Sequence, residues 1–217
     1  MQDTVISLTL FAVIVIIVLI ATVIMMFGFY PRNKKEHWKK DAGWTETHYP
    51  QNANIKEPQK EAVGDAQIQN FQKVKVEHII DGDTVIVSTA WDKIKIRLDS
   101  IDCPEGDQHW GDIATFGLIK LIGGREVHIE DHGLDLDPYE RTLATIYVKH
   151  GYGSEWINVN ERMVTLGHAW VMRRFYKHLP KDRQDQLNRL ERWARSKKVG
   201  LWKTQKPIPP WKWRSEG

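Results

Sequence analysis

Short runs of alternating apolar and polar residues follow one another from residue 71 onward, and they restrict the fold to one built on a β-sheet. The runs lie in "FQKVKVEHII", "TVIVS" and "KIKIRL", and turn-forming segments "DGDT" and "STAWDK" separate them. A period of two bounded by turns predicts short strands with one buried face. We therefore expect a three-stranded meander, with Gly82 free to adopt a positive φ in the first turn. The alternating apolar residues are Val74, Val76, Val85, Val87, Ile94, Ile96 and Leu98.

A helix, two further strands and two more helices are predicted after the meander. The segment "GDIATFGLIKLIGG" has one apolar helical face and ends at two glycines, and "REVHIE" and "RTLATIYVKH" resemble strands. In "NVNERMVTLGHAWVM" we expect Asn160 to cap a helix, and "KDRQDQLNRLERWARSKKVG" carries an apolar stripe. Strands followed by helices indicate an α+β domain, and five short strands suit a five-stranded OB-type β-barrel with about three helices.

An uncharged run of 26 residues, Val5 to Tyr30, precedes this domain. It exceeds the roughly 20 apolar residues that span a bilayer as a helix, so we predict one transmembrane helix at residues 5–30 after a short flank at 1–4. A cleaved signal peptide fits less well, because Asp3 precedes the run and no small-residue cleavage site follows it. Residues 31–70 are polar and lack periodicity, and we interpret them as a tether.

The composition excludes some kinds of site and leaves others open. One cysteine, Cys103, permits neither an intrachain disulfide nor a thiolate-rich zinc site. The formal net charge of +3 is too small to demonstrate a nucleic-acid partner.

Seven acidic residues surround a single arginine, Arg97, in the stretch "DGDTVIVSTAWDKIKIRLDSIDCPEGD" at 81–107. Pairing of neighbouring strands would bring Asp83 close to Asp102 and Glu105, where the carboxylates would repel one another unless a cation lay between them. Oxygen ligands favour a hard ion, Ca²⁺ or Mg²⁺. We expect Asp81 to support the turn, and we assign the rest to the solvated background: Asp92, Asp99 and Asp107.

Five motifs in this order resemble the staphylococcal nuclease (thermonuclease) family. They are "DGDTV", "IRLDSIDCPE", "DPYERTLATIYV", "INVNERMVTLGHAW" and "ARSKKVGLW", and together they span roughly residues 72–203. Each motif alone is typical of an ordinary turn or helix, whereas their order and spacing together are specific.

The resemblance implies a calcium-dependent phosphodiesterase on an OB-type barrel. Family members cut DNA and RNA with little sequence preference, at the 5′ P–O bond, and leave 3′-phosphates. By position, Asp83, Asp102 and the backbone carbonyl of Cys103 would bind one Ca²⁺ ion. Glu105 would hold or deprotonate the attacking water, and Arg97 and Arg141 would bind the phosphate and stabilise the transition state.

Several positions depart from the family pattern and concern substrate binding. Glu140 stands where the family often has glycine, Pro138 replaces a lysine, and Met172, Arg173 and Phe175 stand near the family's nucleotide-binding tyrosines. Contacts to the nucleic-acid strand are assigned to Tyr139, Arg173, Arg174 and Lys177.

Three alternatives remain open at this stage. A nuclease-fold domain can be an inactive module that binds nucleic acid or protein, and a membrane-anchored OB-type barrel can hold an assembly partner. The presence of all five catalytic side chains argues against the inactive module, whereas the fold alone permits the assembly role. A reactive Cys103 thiol is the third alternative, and its acidic surroundings disfavour it.

The C-terminal tail and the membrane side complete the predictions. We expect Trp202, Trp211 and Trp213 in "LWKTQKPIPPWKWRSEG" to pack against a monomeric catalytic domain, with the prolines preventing further helix. Basic residues after the apolar run favour a cytoplasmic C-terminal domain, whereas a degradative enzyme usually works outside the cell. The two arguments disagree, so the sequence leaves the membrane side open. The basic residues are Arg32, Lys34, Lys35, Lys39 and Lys40.

Overall fold

The computed structural model describes residues 64–149 and 155–216. The predicted transmembrane helix at 5–30, and the tether as far as residue 63, lie outside the described residues. Within the described part, no helix is both long and apolar enough to cross a membrane. The strands are β1 (Gln72–Ile79), β2 (Thr84–Ser88), β3 (Lys93–Leu98), β4 (Ile101–Asp102), β5 (Glu126–Asp131), β6 (Thr142–Lys149), β7 (Trp156–Asn158) and β8 (Trp170–Val171).

Five of these strands form a closed barrel. The meander of β1, β2 and β3 is antiparallel, β5 pairs with β1, and β6 pairs with β5. A parallel pairing between β3 and β6 closes the circle, with Arg97 opposite Leu143. Closure removes the exposed edges that an open sheet of this size would present. The predicted five-stranded barrel of OB type is confirmed.

The described residues also form five α-helices. They are α1 (Asp65–Ile68), α2 (Gly111–Ile122), α3 (Val159–Thr165), α4 (Lys181–Ser196) and α5 (Pro210–Glu216), with a 3₁₀ turn at Gly200–Lys203. The three predicted helices correspond to α2, α3 and α4. The stripe of α4 is buried as expected, through Leu187, Leu190 and Ala194. The side chain of Ile68 in α1 is also buried, so the packed domain begins before the predicted boundary at residue 71.

Two local predictions about helix ends are wrong. Asn158, not Asn160, caps α3: its side chain accepts a hydrogen bond from the backbone N–H of Glu161. Asn160 is buried instead, and its amide donates to the carbonyls of Asp99 and Ala144. In the tail, Pro210 begins a helix, because the first turn of a helix needs no N–H from that residue.

The alternating residues point into one continuous core. Each barrel strand buries its apolar side chains against those of α2, α3 and α4, and burial of one such side chain contributes about 1.5–3 kcal/mol. A smaller cluster lies under the C-terminal segment, where Trp170 packs against Ala194, Leu201 and Trp202. The rings of Trp170 and Trp202 meet edge to face with centroids 5.1 Å apart. The predicted packing against the domain is confirmed for Trp202, which is buried, whereas Trp211 is 40% exposed and Trp213 is half-buried.

His168 joins α2 to the turn after α3. Its side chain is buried, its Nδ1 atom accepts a hydrogen bond of 3.2 Å from the indole of Trp110, and its ring lies where a Cβ atom on Gly117 would stand. Burial, together with the positive charge of Arg162, lowers the pKa of His168 to about 4. The imidazole is therefore neutral in the folded protein at pH 7.

We expect stability to fall between pH 6.5 and about 4 because the unfolded chain takes up a proton that folded His168 refuses. The contribution of this one group is about 3 kcal/mol. Urea unfolding across that range should show a shallower pH dependence for His168→Gln than for the wild type. His109→Gln, at an exposed neighbouring histidine, is the control and should keep the wild-type slope. Equal slopes in His168→Gln and the wild type would contradict the assignment.

Candidate active site

A cleft of ≈ 720 Å³ opens beside the closure of the barrel. Of the ten residues predicted from the sequence, seven line it: Asp83, Arg97, Asp102, Cys103, Glu105, Tyr139 and Arg141. These residues come from the turn before β2, the end of β3, the end of β4 with the segment that follows it, and the loop before β6. The structure therefore brings together residues that are up to 58 positions apart in the chain.

Strand register explains why these segments meet. Thr84, the first residue of β2, pairs with Arg97 of β3, so Asp83 lies beside that arginine. Because β3 runs parallel to β6, the residue preceding β6, Arg141, enters the same cleft. Thr84 bridges the two sides: its hydroxyl donates to Asp83 Oδ1 at 3.1 Å and accepts from Arg141 Nη1 at 3.1 Å. The sequence argument treated Thr84 only as part of a turn.

The two carboxylates predicted to bind metal are buried and closely surrounded. Asp83 Oδ2 accepts the backbone N–H of Cys103 at 2.8 Å, and Asp102 is only 1% exposed. Burial raises the pKa of Asp102, although the hydrogen bond from Arg214 and the charge of Arg97 oppose the rise. Burial and the charge of Asp83 raise the pKa of Asp81 to about 6. Negative charge is therefore crowded here and favours a cation.

Arg97 is held rigidly between these carboxylates. Its Nη1 atom donates to the carbonyls of Leu98 at 3.0 Å and Ile101 at 2.9 Å, and its Nη2 atom lies 2.6 Å from Asp102 Oδ1. Burial alone would lower the pKa of Arg97, but Asp83 and Asp102 outweigh it and the pKa is raised. The guanidinium is therefore permanently charged and fixed in direction.

Arg141 is oriented by Asp137, a residue that the sequence analysis did not single out. Asp137 Oδ2 accepts from Arg141 Nε at 2.8 Å and lies 2.6 Å from Nη2, while Oδ1 accepts the backbone N–H groups of Tyr139 and Arg141. The spacing of four residues within "DPYER" is the signal that could have found this pair. Glu140 in the same turn has a φ of 57°, a left-handed conformation that favours glycine.

Glu105 lies at the mouth of the cleft and is bound by an arginine that the sequence analysis also missed. Arg214 of α5 donates to Asp102 Oδ2 at 2.8 Å and to Glu105 Oε1. Burial would lower the pKa of Arg214, but its bonds to the two carboxylates raise it. No motif in the tail signalled this contact, because it joins residues more than a hundred positions apart.

Cys103 is part of the core, which bears on the reactive-thiol alternative. Its side chain is buried, and its thiol donates to the carbonyl of Gly82 at 3.2 Å. Burial, together with the charge of Asp83, raises the pKa of Cys103 well above its ordinary value. A thiol that stays protonated is a poor nucleophile, so the geometry disfavours that alternative.

Asp99 is buried, so its assignment to the solvated background is wrong. Its Oδ2 atom accepts from Ser100 Oγ at 2.8 Å and lies 2.7 Å from His178 Nε2 and 3.7 Å from His132 Nε2. Burial lowers the pKa of His132. The three side chains could hold a metal ion, since their ligand atoms lie within 4.8 Å of one another. As they stand, they tie the turn before Asp102 to two loops.

Three of the predicted substrate-binding residues lie outside the lining of the cleft. Arg173 pairs with Glu191 and with Asn188 Oδ1, both on α4. Arg174 and Lys177 are exposed on the loop between β8 and α4. Two residues of that loop, Met172 and Phe175, line the cleft instead.

Comparison with known proteins adds independent findings. The family model described as "Staphylococcal nuclease homologue" matches residues 95–204. "Protein ParB" of Escherichia coli is 37% identical over 145 residues, which cover 65% of this chain and 78% of that protein. "Micrococcal nuclease" of Shigella flexneri is 34% identical over 143 residues, covering 64% and 79% of the two chains. An "Uncharacterized endonuclease" of Escherichia coli O157:H7 is 34% identical over 140 residues, covering 64% and 83%.

Gly82 does not use its freedom to adopt a positive φ. The position requires glycine for space: a Cβ atom would lie 2.8 Å from Cys103 Cβ and 2.9 Å from Ala114 Cβ. The turn that carries Asp83 is therefore packed directly against the core.

We expect Gly82→Ala to destabilise the protein by about 1–3 kcal/mol, because the added methyl group overpacks the contact with Cys103 and Ala114. Gly106→Ala is the matched control in the same site, since a Cβ atom there meets nothing within 4 Å. Denaturant unfolding of both variants provides the measurement. A loss no larger in Gly82→Ala than in Gly106→Ala would contradict the steric explanation.

Proposed function

The chain belongs to the staphylococcal nuclease family, and from that premise we propose that its described domain is a calcium-dependent endonuclease. The enzyme hydrolyses DNA and RNA with little sequence preference. It cleaves the 5′ P–O bond and leaves 3′-phosphates. The observation that carries the proposal is the convergence of two oriented guanidiniums, Arg97 and Arg141, with a buried pair of carboxylates, Asp83 and Asp102, in one cleft.

The two arginines supply the phosphate-binding part of the mechanism. Attack on a phosphodiester places additional negative charge on the non-bridging oxygens, and permanently charged, forked donors stabilise it. Asp102 and two main-chain carbonyls fix Arg97, while Asp137 and Thr84 fix Arg141. Donors fixed before the reaction need no reorganisation, and each such contact is worth a factor of about 10² to 10³ in rate.

The residues present fit a hard divalent cation. Asp83 and Asp102, with the backbone carbonyl of Cys103, would hold the ion through oxygen atoms, and no thiolate competes because the Cys103 thiol stays protonated. Four carboxylates, those of Asp81, Asp83, Asp102 and Glu105, face the two guanidiniums of Arg97 and Arg214. The cluster therefore has a formal charge of −2. When bound, the cation would add positive charge next to the attacked phosphate.

We assign the activation of water to Glu105. Its side chain is 37% exposed at the mouth of the cleft, whereas that of Asp102 beside it is almost fully enclosed. In the proposed reaction the Glu105 carboxylate orients the attacking water or accepts a proton from it, which leaves the water oxygen free to attack phosphorus.

In the proposed complex, exposed aromatic rings at the cleft stack on nucleobases without distinguishing the base sequence. Tyr139 and Phe175 both line the cleft and are largely exposed, and base stacking on such rings is tolerant of sequence. Arg174 and Lys177 would add charge along the strand backbone. Arg173 would contribute less, since its guanidinium is paired with Glu191.

The enzyme is tested with the full-length protein on supercoiled plasmid and on RNA, in Ca²⁺ and in excess chelator. We expect nicking, then degradation, of both substrates only in Ca²⁺. Arg141→Ala and Glu105→Gln should each lower kcat about 10²-fold or more, because they remove charge stabilisation and water activation. Arg192→Ala, at an exposed arginine of α4, is the control and should keep the wild-type rate. Intact nucleic acid with folded wild-type protein would favour an inactive binding module instead.

We also propose that residues 5–30 anchor the chain in a membrane and that the basic residues after them keep the domain cytoplasmic. A C-terminal fusion to a reporter that is active only outside the cytoplasm is expected to be inactive, with the fusion recovered in the membrane fraction. A cytoplasm-active reporter at the same point is the control. Activity of the first fusion would reverse the orientation, and recovery in the soluble fraction would contradict the anchor.

A further inference from the structure

Arg214 contacts both carboxylates that the proposed reaction uses most directly. Its Nη2 atom donates to Asp102 Oδ2 at 2.8 Å, and its Nη1 atom contacts Asp102 Oδ1 at 3.4 Å and Glu105 Oε1. A guanidinium is thus placed between a predicted metal ligand and the residue predicted to hold water.

The helix that carries Arg214 is docked by several separate contacts. The indole of Trp213 donates to Asp107 at 3.2 Å, and the rings of Trp211 and Trp170 lie 6.3 Å apart. Before the helix, the carbonyl of Ile208 accepts from Gln108 Nε2 at 2.6 Å. Because Asp107 and Gln108 directly follow the Glu105 loop, α5 is fixed to the same segment that its arginine reaches across.

Both oxygens of Asp102 are taken by guanidiniums. Arg97 binds Oδ1 and Arg214 binds Oδ2, so a metal ion coordinated by Asp102 must draw on lone pairs that these arginines use. Arg97 is also held by two main-chain carbonyls, and its side chain is 14% exposed. The side chain of Arg214 is 44% exposed, so Arg214 is the one that can withdraw into solvent.

We propose that Arg214 is an additional active-site residue that competes with the divalent cation for Asp102 and Glu105 and so sets the affinity of the site for metal. The inference rests on the proposed calcium-dependent function. Loss of Arg214 would leave one guanidinium facing the four carboxylates and would change the formal charge of the cluster from −2 to −3. A more negative site with a free Asp102 oxygen binds a divalent cation more tightly.

Calorimetric titration of the full-length protein with Ca²⁺, without nucleic acid, tests this directly. Arg214→Gln is expected to lower the Kd for Ca²⁺ about tenfold relative to the wild type. Arg214→Lys should fall between the two, because it keeps the charge but loses the forked geometry. Lys212→Gln is the matched control: it removes one positive charge from an exposed position of the same helix, and its Kd should stay within about twofold of the wild type.

The outcomes separate this inference from the proposed function. An unchanged or weaker Kd in Arg214→Gln, with the wild type binding Ca²⁺, overturns the competition and leaves the proposed enzyme intact. A decrease in Lys212→Gln as large as in Arg214→Gln also overturns it, since the effect would then be one of general charge. No Ca²⁺ binding by any variant overturns the calcium dependence of the proposed function. Thermal unfolding in chelator verifies that each variant is folded.

Discussion

The parallel pairing of β3 with β6 is the contact on which the rest of the molecule depends. It joins the last strand of the meander to a strand that begins more than forty residues later, and it closes the barrel. Without it, the alternating residues of β3 and β6 would have no enclosed interior to occupy. The same pairing places Arg97 beside the entrance of β6, so that one set of main-chain hydrogen bonds both completes the core and brings Arg141 to the cleft.

Burial of the site carboxylates is energetically unfavourable, and the donors that compensate for it also fix the orientation of the charged side chains. Asp83 and Asp102 are nearly inaccessible, and an unpaired buried carboxylate is strongly unfavourable. Each is therefore bound by several donors: Asp83 by a main-chain N–H and the Thr84 hydroxyl, and Asp102 by Arg97 and Arg214. These bonds orient every charged group before a substrate arrives. The cluster remains short of positive charge, which makes it suited to a cation.

Sequence patterns succeeded where the decisive interactions are local or periodic. Alternation predicted the barrel strands, and the apolar stripe predicted α4, because burial of a face depends on spacing alone. They failed where a distant partner decides. The sequence around Asp99 is typical of an exposed loop, and only the fold brings His178 within hydrogen-bonding distance of it. Gly82 reads as a flexible turn residue, whereas the packing of Cys103 and Ala114 excludes a side chain there.

The sequence by itself determined the barrel, three of its helices, and seven residues that share the cleft, because strand period, turn chemistry and ordered motifs are written along the chain. Only the tertiary structure decided the partners: Asp137 for Arg141, Thr84 as the bridge, and Arg214 on Asp102 and Glu105. The physical reason is that a hydrogen bond depends on distance in space. Residues 102 and 214 are separated by 112 positions, and no local pattern encodes their meeting.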